Sequence, residues 1–341
     1  LCVFYVVYHL YLLGNLRINL PTKVTTISRC FYMMRSLDKD YLSKAIKDFC
    51  KGTSVSSGKF SCEAPGSVKD LEWNHMDQSH RPYIHSTYND ELRISIGENF
   101  ANSLTKWGNW PFFLNVMDVR VKDGQYYQTF TIGGLIYVHT VIEMGYINES
   151  KSSLEINWHI SSHWILKPIH KFLNRKIYKL NIRLQEEDYV IRDQRYKLRE
   201  KGYNFRSDPP NYYSSNMLTH NTIYPPLGNT LKLKISEFVE SNSLDNEKNK
   251  NLYKFGKDDT SFIIKKISED EFCIWPSVCP HEGASLEDAN FCKNSVKCPW
   301  HGLSFTGVSL SSKNNCISKY GFTYKLDEEY IKIDDDRSIK D

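Results

Sequence analysis

The stretch WPFFLNVMDVRVKDGQYYQTFTIGGLIYVHTVIEM, residues 110–144, decides the architecture. It contains three runs rich in β-branched and aromatic residues, and Asp123-Gly124 between the first two is a hairpin signal. A fourth run, LEINWHI (154–160), follows closely. Consecutive strands with short turns predict an antiparallel sheet. A long helix is predicted next, from about Pro168 to Lys201. Its apolar stripe is Ile169, Leu173, Ile177, Leu180, Leu184, Ile191 and Leu198, and Gly202 stops it. A curved antiparallel sheet closed over one long helix is an α+β arrangement with room for a cavity between the layers.

Upstream, residues 36–50 read as an amphipathic helix and 51–66 as a Ser/Gly-rich loop. Residues 71–80 read as a short helix ended by Arg81-Pro82, because proline disfavours the helical region for the residue before it. Downstream, 203–230 contains Pro209-Pro210 and Pro225-Pro226 and reads as a linker. From about Leu231 the chain turns all-β, with FIIKKI, EFCIW, FTYKL and EYIKI as strands and 240–251 as a polar loop. The expected division is an apolar leader (1–34), a first domain (35–205), a linker (206–230) and a second domain (231–341). Leu1–Leu13 is nearly all apolar but shorter than the roughly 20 residues that span a bilayer. It reads as the tail of a truncated membrane helix, a packed or interfacial segment, or a stretch upstream of the protein proper. Met33 and Met34, just before the first helix, favour the last reading.

Composition narrows the function. The chain has 341 residues, 40% of them hydrophobic, and a formal charge of only +4. Disordered and collagen-like chains are excluded, and a dedicated nucleic-acid binder, which would show a basic stripe, is not expected. Nine cysteines, an odd number without regular spacing, point to a reducing cytoplasm. No G-x-G-x-x-G lies between a strand and a helix, so no nicotinamide or flavin site is expected within this sequence.

Two constellations carry chemistry. The first is Cys279-Pro280-His281 and Cys298-Pro299-Trp300-His301. A Cys₂His₂ zinc site is one reading, but a zinc finger places two Cys on one arm and two His on the other. Here each arm mixes one of each, which suits a two-iron cluster with two thiolates on one iron and two imidazoles on the other. The second is Asp77-x₂-His80-x₄-His85 in WNHMDQSHRPYIH (73–85). Asn74, Asp77 and His80 are three apart and share one helix face, and Pro82 breaks the helix so that His85 can return toward His80. Two His and one carboxylate on one side of Fe(II), with open positions opposite, is the non-haem iron oxygenase arrangement. The third ligand is sought in QEEDYVIRDQR (185–195) on the long helix. Glu187 and Asp188 both lie near the apolar stripe, helical phase slightly prefers Glu187, and a salt bridge to a buried Arg is the competing explanation.

The first constellation resembles the Rieske [2Fe–2S] motif, C-x-H…C-x-x-H, over about residues 230–335. The respiratory-complex branch carries an extra Cys in each loop, where this chain has Ala284 and Trp300, so the oxygenase and ferredoxin branch is the nearer likeness. Segment 73–85 is similar to the N-x-x-D-x-x-H-x₄-H motif of Rieske non-haem iron oxygenases (aromatic-ring-hydroxylating enzymes), and EDYVIRDQ (187–194) to their aspartate helix, especially in the vanillate-demethylase-like group. The resemblance implies a helix-grip (START-like) domain followed by an all-β Rieske domain, the reverse of the family's usual order. It implies Cys279, His281, Cys298 and His301 as [2Fe–2S] ligands, and His80, His85 and Asp188 as ligands of a mononuclear Fe(II). Asp77 and Asn74 take catalytic roles, Asp77 linking the cluster histidine to the mononuclear site and Asn74 lying near that iron.

The activity implied is O₂-dependent hydroxylation or oxidative dealkylation of an apolar or aromatic small molecule. An external reductase or ferredoxin supplies the electrons, and a homotrimer is the family's assembly. With the domain order reversed, electrons could instead pass within one chain. Phe112, Phe113, Tyr126, Tyr127 and Tyr137 are candidate pocket residues, with a place in the core the favoured reading of each. The competing function is a Rieske electron-transfer protein with a non-catalytic ligand-binding module.

Overall fold

The computed structural model describes residues 54–107, 113–132, 135–215, 222–237, 244, 251–257 and 260–336. The leader, the expected helix at 36–50 and Phe112 lie outside these. Among the described residues no helix is long and apolar enough to cross a membrane. The chain divides into two compact units. Among the described residues, the first comprises those in 54–76, 85–189 and 211–214; the second comprises those in 77–84, 190–210 and 215–336.

The first unit is built on strands β1 (Ser54–Pro65), β2 (Tyr88–Ile96), β3 (Phe100–Trp107), β4 (Phe113–Lys122), β5 (Gln125–Ile132), β6 (Ile136–Asn148) and β7 (Lys151–Ser162). They form one antiparallel sheet in the order β1-β7-β6-β5-β4-β3-β2. Alternation fixes which side is core. Phe60, Tyr126, Phe130, Val138, Ile142, Ile156, Trp158 and Ile160 point to one face, where Leu173 and Ile177 of the long helix α3 (Lys167–Glu200) join them. Trp158 Nε1 donates to Asn174 Oδ1 at 2.7 Å, and Asn174 Nδ2 to Ser56 Oγ at 3.1 Å, so the helix is pinned to β1 and β7 by polar bonds as well as packing. Strand order and helix placement give the expected helix-grip α+β fold.

Several expectations need correction. Residues 54–65, read as loop, form β1. Its serines and glycine hid a period-2 pattern in which Phe60, Cys62 and Ala64 face the core. The sheet also contains β2 and β3, whose polar and charged residues masked the alternation. Ile169 is exposed and lies off the buried stripe of α3. Tyr126 belongs to the core, not to a pocket, whereas Tyr127 and Tyr137 occupy the alternate positions on the other sheet face.

The second unit is all-β apart from the end of α3 and short turns. A two-residue pair joins β8 (Asn204–Phe205) to β9 (Thr222–Ile223) within the segment expected as a linker. Strands β10 (Leu231–Lys234), β11 (Leu252–Lys257), β12 (Thr260–Lys266) and β13 (Glu271–Pro276) precede a small sheet of β14 (Asn290–Phe291), β15 (Ser295–Lys297) and β16 (Ser304–Thr306). Then come β17 (Val308–Ser311), β18 (Cys316–Lys319), β19 (Phe322–Leu326) and β20 (Tyr330–Asp335). Two four-stranded sheets, β11-β12-β13-β17 and β10-β20-β19-β18, enclose a core of Phe262, Ile264, Phe272, Ile274, Leu310, Phe322, Tyr324, Ile331 and Ile333.

Candidate metal centres

In the second unit, two loops present the Cys-His pairs. Each closes on itself in the same way: Gly283 N donates to Cys279 O at 3.1 Å, and Gly302 N to Cys298 O at 2.9 Å. Both glycines adopt positive φ, +90° and +64°, which an L side chain rarely tolerates. A second bond in each loop, from Cys279 N to Ala284 O (2.7 Å) and from Cys298 N to Leu303 O (2.8 Å), fixes the turn. Tyr224 Oη donates to Val278 O at 2.7 Å and Thr222 Oγ1 to Cys279 O at 3.3 Å, so the segment after β8 braces the first loop.

All four candidate ligands are buried. The imidazoles of His281 and His301 stand edge to face with centroids 4.5 Å apart, and their Nδ1 atoms approach to 3.3 Å. Two ring nitrogens aimed at one spot is what a shared iron requires. The Cys279 thiol, with His301 beside it, holds the Cys298 thiol below its ordinary value, and burial pushes Cys279 above its own. The donor set therefore fits a [2Fe–2S] cluster with two sulfur and two nitrogen ligands.

Asp77 lies in the same unit. It caps the 3-10 turn Gln78–His80, its Oδ1 accepting from Ser79 N at 3.1 Å and from the Ser79 hydroxyl. Its Oδ2 is 2.6 Å from His301 Nε2 and 3.8 Å from His80 Nδ1. Burial opposes both charges, yet His301 and His80 hold the Asp77 carboxyl well below its ordinary value. On the other side, Asp77, with Cys298, overcomes burial and raises His301 to about 10. A His301 whose Nδ1 held iron would keep its proton on Nε2 and donate it to Asp77.

The helix geometry differs from expectation. Helix α1 (Val68–Met76) ends before Asp77, which has φ −76° and ψ 86°, so Asn74, Asp77 and His80 do not share one helix face. Pro82 is not the breaker either. It lies in the first turn of α2 (Arg81–Ile84), where its missing N–H costs nothing. The break at Asp77, by side-chain capping of the next turn, is what turns Asp77 and His80 apart from Asn74.

In the first unit, Asn74 Nδ2 donates to Asp188 Oδ1 at 3.2 Å, and the same oxygen lies 3.3 Å from His85 Nε2. Glu187 takes the opposite edge of that ring, its Oε2 3.1 Å from His85 Nδ1. Burial raises the Glu187 carboxyl, but hydrogen bonds from Ser86, His85 and Arg183 win and set it below its ordinary value. Adjacent helix carboxylates thus divide the work: Glu187 orients the imidazole, and Asp188 faces its other nitrogen. The sequence carried the signal, since helical phase places both near the stripe, but reading them as rivals hid their joint role. His85 and Asp188 are both buried, and His80, the third residue of the expected set, is buried in the second unit.

The Rieske [2Fe-2S] domain family model matches residues 236–318. This chain carries a Rieske domain. The match spans both Cys-His loops and supports a [2Fe–2S] cluster and a role in electron transfer or oxidation–reduction. No curated protein matches the chain. Among solved structures, the Rieske-bearing chain is similar to a truncated norcoclaurine synthase from Thalictrum flavum, at 10% identity over 36% of this chain and 84% of that one, with a TM-score of 0.30. It is also similar to a START superfamily protein from Mycobacterium smegmatis, at 7% identity over 40% and 97%, with a TM-score of 0.34.

Proposed function

We propose that this chain is a Rieske non-haem iron oxygenase that uses O₂ to hydroxylate or oxidatively dealkylate an apolar or aromatic small molecule. The observation that carries the reading is that, besides the four buried cluster ligands, the chain holds a buried His85 with its ring nitrogen 3.3 Å from the Asp188 carboxylate, and a buried His80. When bound, the [2Fe–2S] cluster supplies single electrons and the Fe(II) activates O₂ at its open positions.

The chain's own residues do the rest. Asp77 accepts the His301 Nε2 proton and stands beside His80, so one carboxylate touches a histidine of each set. Both contacts lie within the second unit. Asn74 holds Asp188 by the oxygen that faces His85, limiting that carboxylate to one orientation. Glu187 fixes the His85 ring from behind. Electrons come from an external reductase or ferredoxin.

Iron content per chain tests the reading. Three irons, with a high-spin ferrous signal that disappears in His80→Ala while the Rieske spectrum persists, are expected. Two irons and no such signal would leave a Rieske electron carrier with a ligand-binding module.

A further inference from the structure

The end of α3 makes an unusual set of contacts with the first cluster loop. Arg195 and Glu282 are both fully buried, and Arg195 Nη1 donates to Glu282 Oε2 at 2.6 Å. Glu282 is the residue immediately after the ligand His281. Ser207 Oγ accepts from Arg195 Nη2 at 2.9 Å and donates to Glu282 Oε2 at 3.2 Å, and the Phe205 ring lies 3.7 Å beneath the guanidinium. One residue earlier on the helix, Gln194 Nε2 donates to Gly283 O at 3.0 Å. A Cβ on Gly283 would stand 2.9 Å from the Phe205 ring and 3.0 Å from Leu198 Cδ1, so the loop backbone is pressed against the helix.

A buried ion pair is poor evidence of stabilisation, because apolar residues of similar volume do as well or better. What such a pair does supply is direction: the planar guanidinium fork accepts its partner in one geometry. Arg195 lies seven residues after Asp188, two turns along the same face of one helix, a rise of about 10 Å. The helix that carries a candidate ligand of the lone iron therefore also grips the loop that carries two cluster ligands.

We propose that Arg195 and Gln194 are positioning residues for electron transfer, locking the loop of Cys279 and His281 onto the helix that carries Asp188. Electron transfer slows as its two centres move apart, and a site whose support is left loose loses the geometry it needs. This rests on the oxygenase reading.

The test uses the cluster-loaded chain with the double variant Arg195→Met/Glu282→Leu, which removes both charges together, and the milder Gln194→Ala. Two readouts apply. Amide hydrogen exchange at residues 279–284 is expected to quicken about tenfold or more in both variants while the Rieske spectrum and its two irons persist. With nitric oxide as probe on the lone ferrous ion and the cluster reduced, the spin–spin distance distribution is expected to broaden. Unchanged exchange and an unchanged distribution would overturn the proposal. So would loss of the cluster from Gln194→Ala, which would make the clamp an assembly device. If the wild type shows no ferrous–nitrosyl signal, the oxygenase reading fails by itself, and the exchange measurement still decides whether the clamp holds the loop.

Discussion

Replacing Asp77 by Asn keeps an oxygen for the Ser79 cap but removes the charge that faces His301. The consequence for the cluster follows from the electrostatics of that pair. His301 is raised from 6.5 to about 10, mainly by Asp77 acting against burial. For unit charges about 7 Å apart at an effective dielectric of about 40, Coulomb's law gives about 1.2 kcal/mol. For a one-electron couple this is about 50 mV. The reduced cluster carries one more negative charge than the oxidised one, so loss of the carboxylate favours reduction. Asp77→Asn is therefore expected to raise the midpoint potential by about 50 mV at neutral pH and to slow electron delivery to the lone iron. A potentiometric titration followed by the signal of the reduced cluster measures the shift. A fall in potential, or no shift with His301 ligation intact, would refute the reasoning.

Glu187→Gln loses the charged partner of His85 and is expected to weaken iron affinity about 10- to 100-fold while leaving cluster content unchanged, as read by metal titration with chelator competition. Burial, with His159 nearby, lowers His139 to about 4. Because its folded pKa is depressed, the unfolded chain takes the proton first, so stability is constant above pH 6.5 and falls between pH 6.5 and 4. His139→Gln should lose about 2 kcal/mol less than the wild type between pH 7 and 4.5, after allowance for partial exposure, in urea melts at the two pH values. Gly302→Ala puts a side chain at φ +64° against the Tyr83 ring and is expected to cost about 1–2 kcal/mol, visible as a lowered thermal midpoint with earlier loss of the Rieske absorbance.

What could be read from the sequence follows the range of the interactions involved. The cluster loops were legible because four ligands on two short segments are a local pattern, and a glycine one or two residues past each histidine closes both turns. The sheet was legible where one face is apolar, as at Phe130 or Ile156, and illegible at β1–β3, where serines, lysines and acids fill the outward positions. The position of the helix break was missed because it depends on the Asp77 carboxylate accepting from Ser79, a side-chain choice with no periodicity. Helical phase brought Glu187 and Asp188 to the right place but could not divide their roles. That division depends on which edge of His85 each carboxylate meets, and His85 is a hundred residues away in sequence.

The same limit explains why Arg195 and Glu282 escaped notice. A buried Arg was weighed as a partner for the helix carboxylates, since an unpaired acid in an apolar setting is costly. Arg195 is indeed buried on that helix, but it pairs with Glu282, beside the cluster ligand His281, and more distantly with Asp208. Asp188 meets the amide of Asn74 and the ring of His85 through one carboxylate oxygen. An amide that orients a buried carboxylate toward an imidazole does what the outer partners of metal ligands do. The contact with Asn74 and His85 is therefore the argument for the role of Asp188. If Asp188→Asn were to leave the bound iron undiminished while destabilising the chain by the few kcal/mol of a broken buried ion pair, that argument would fail.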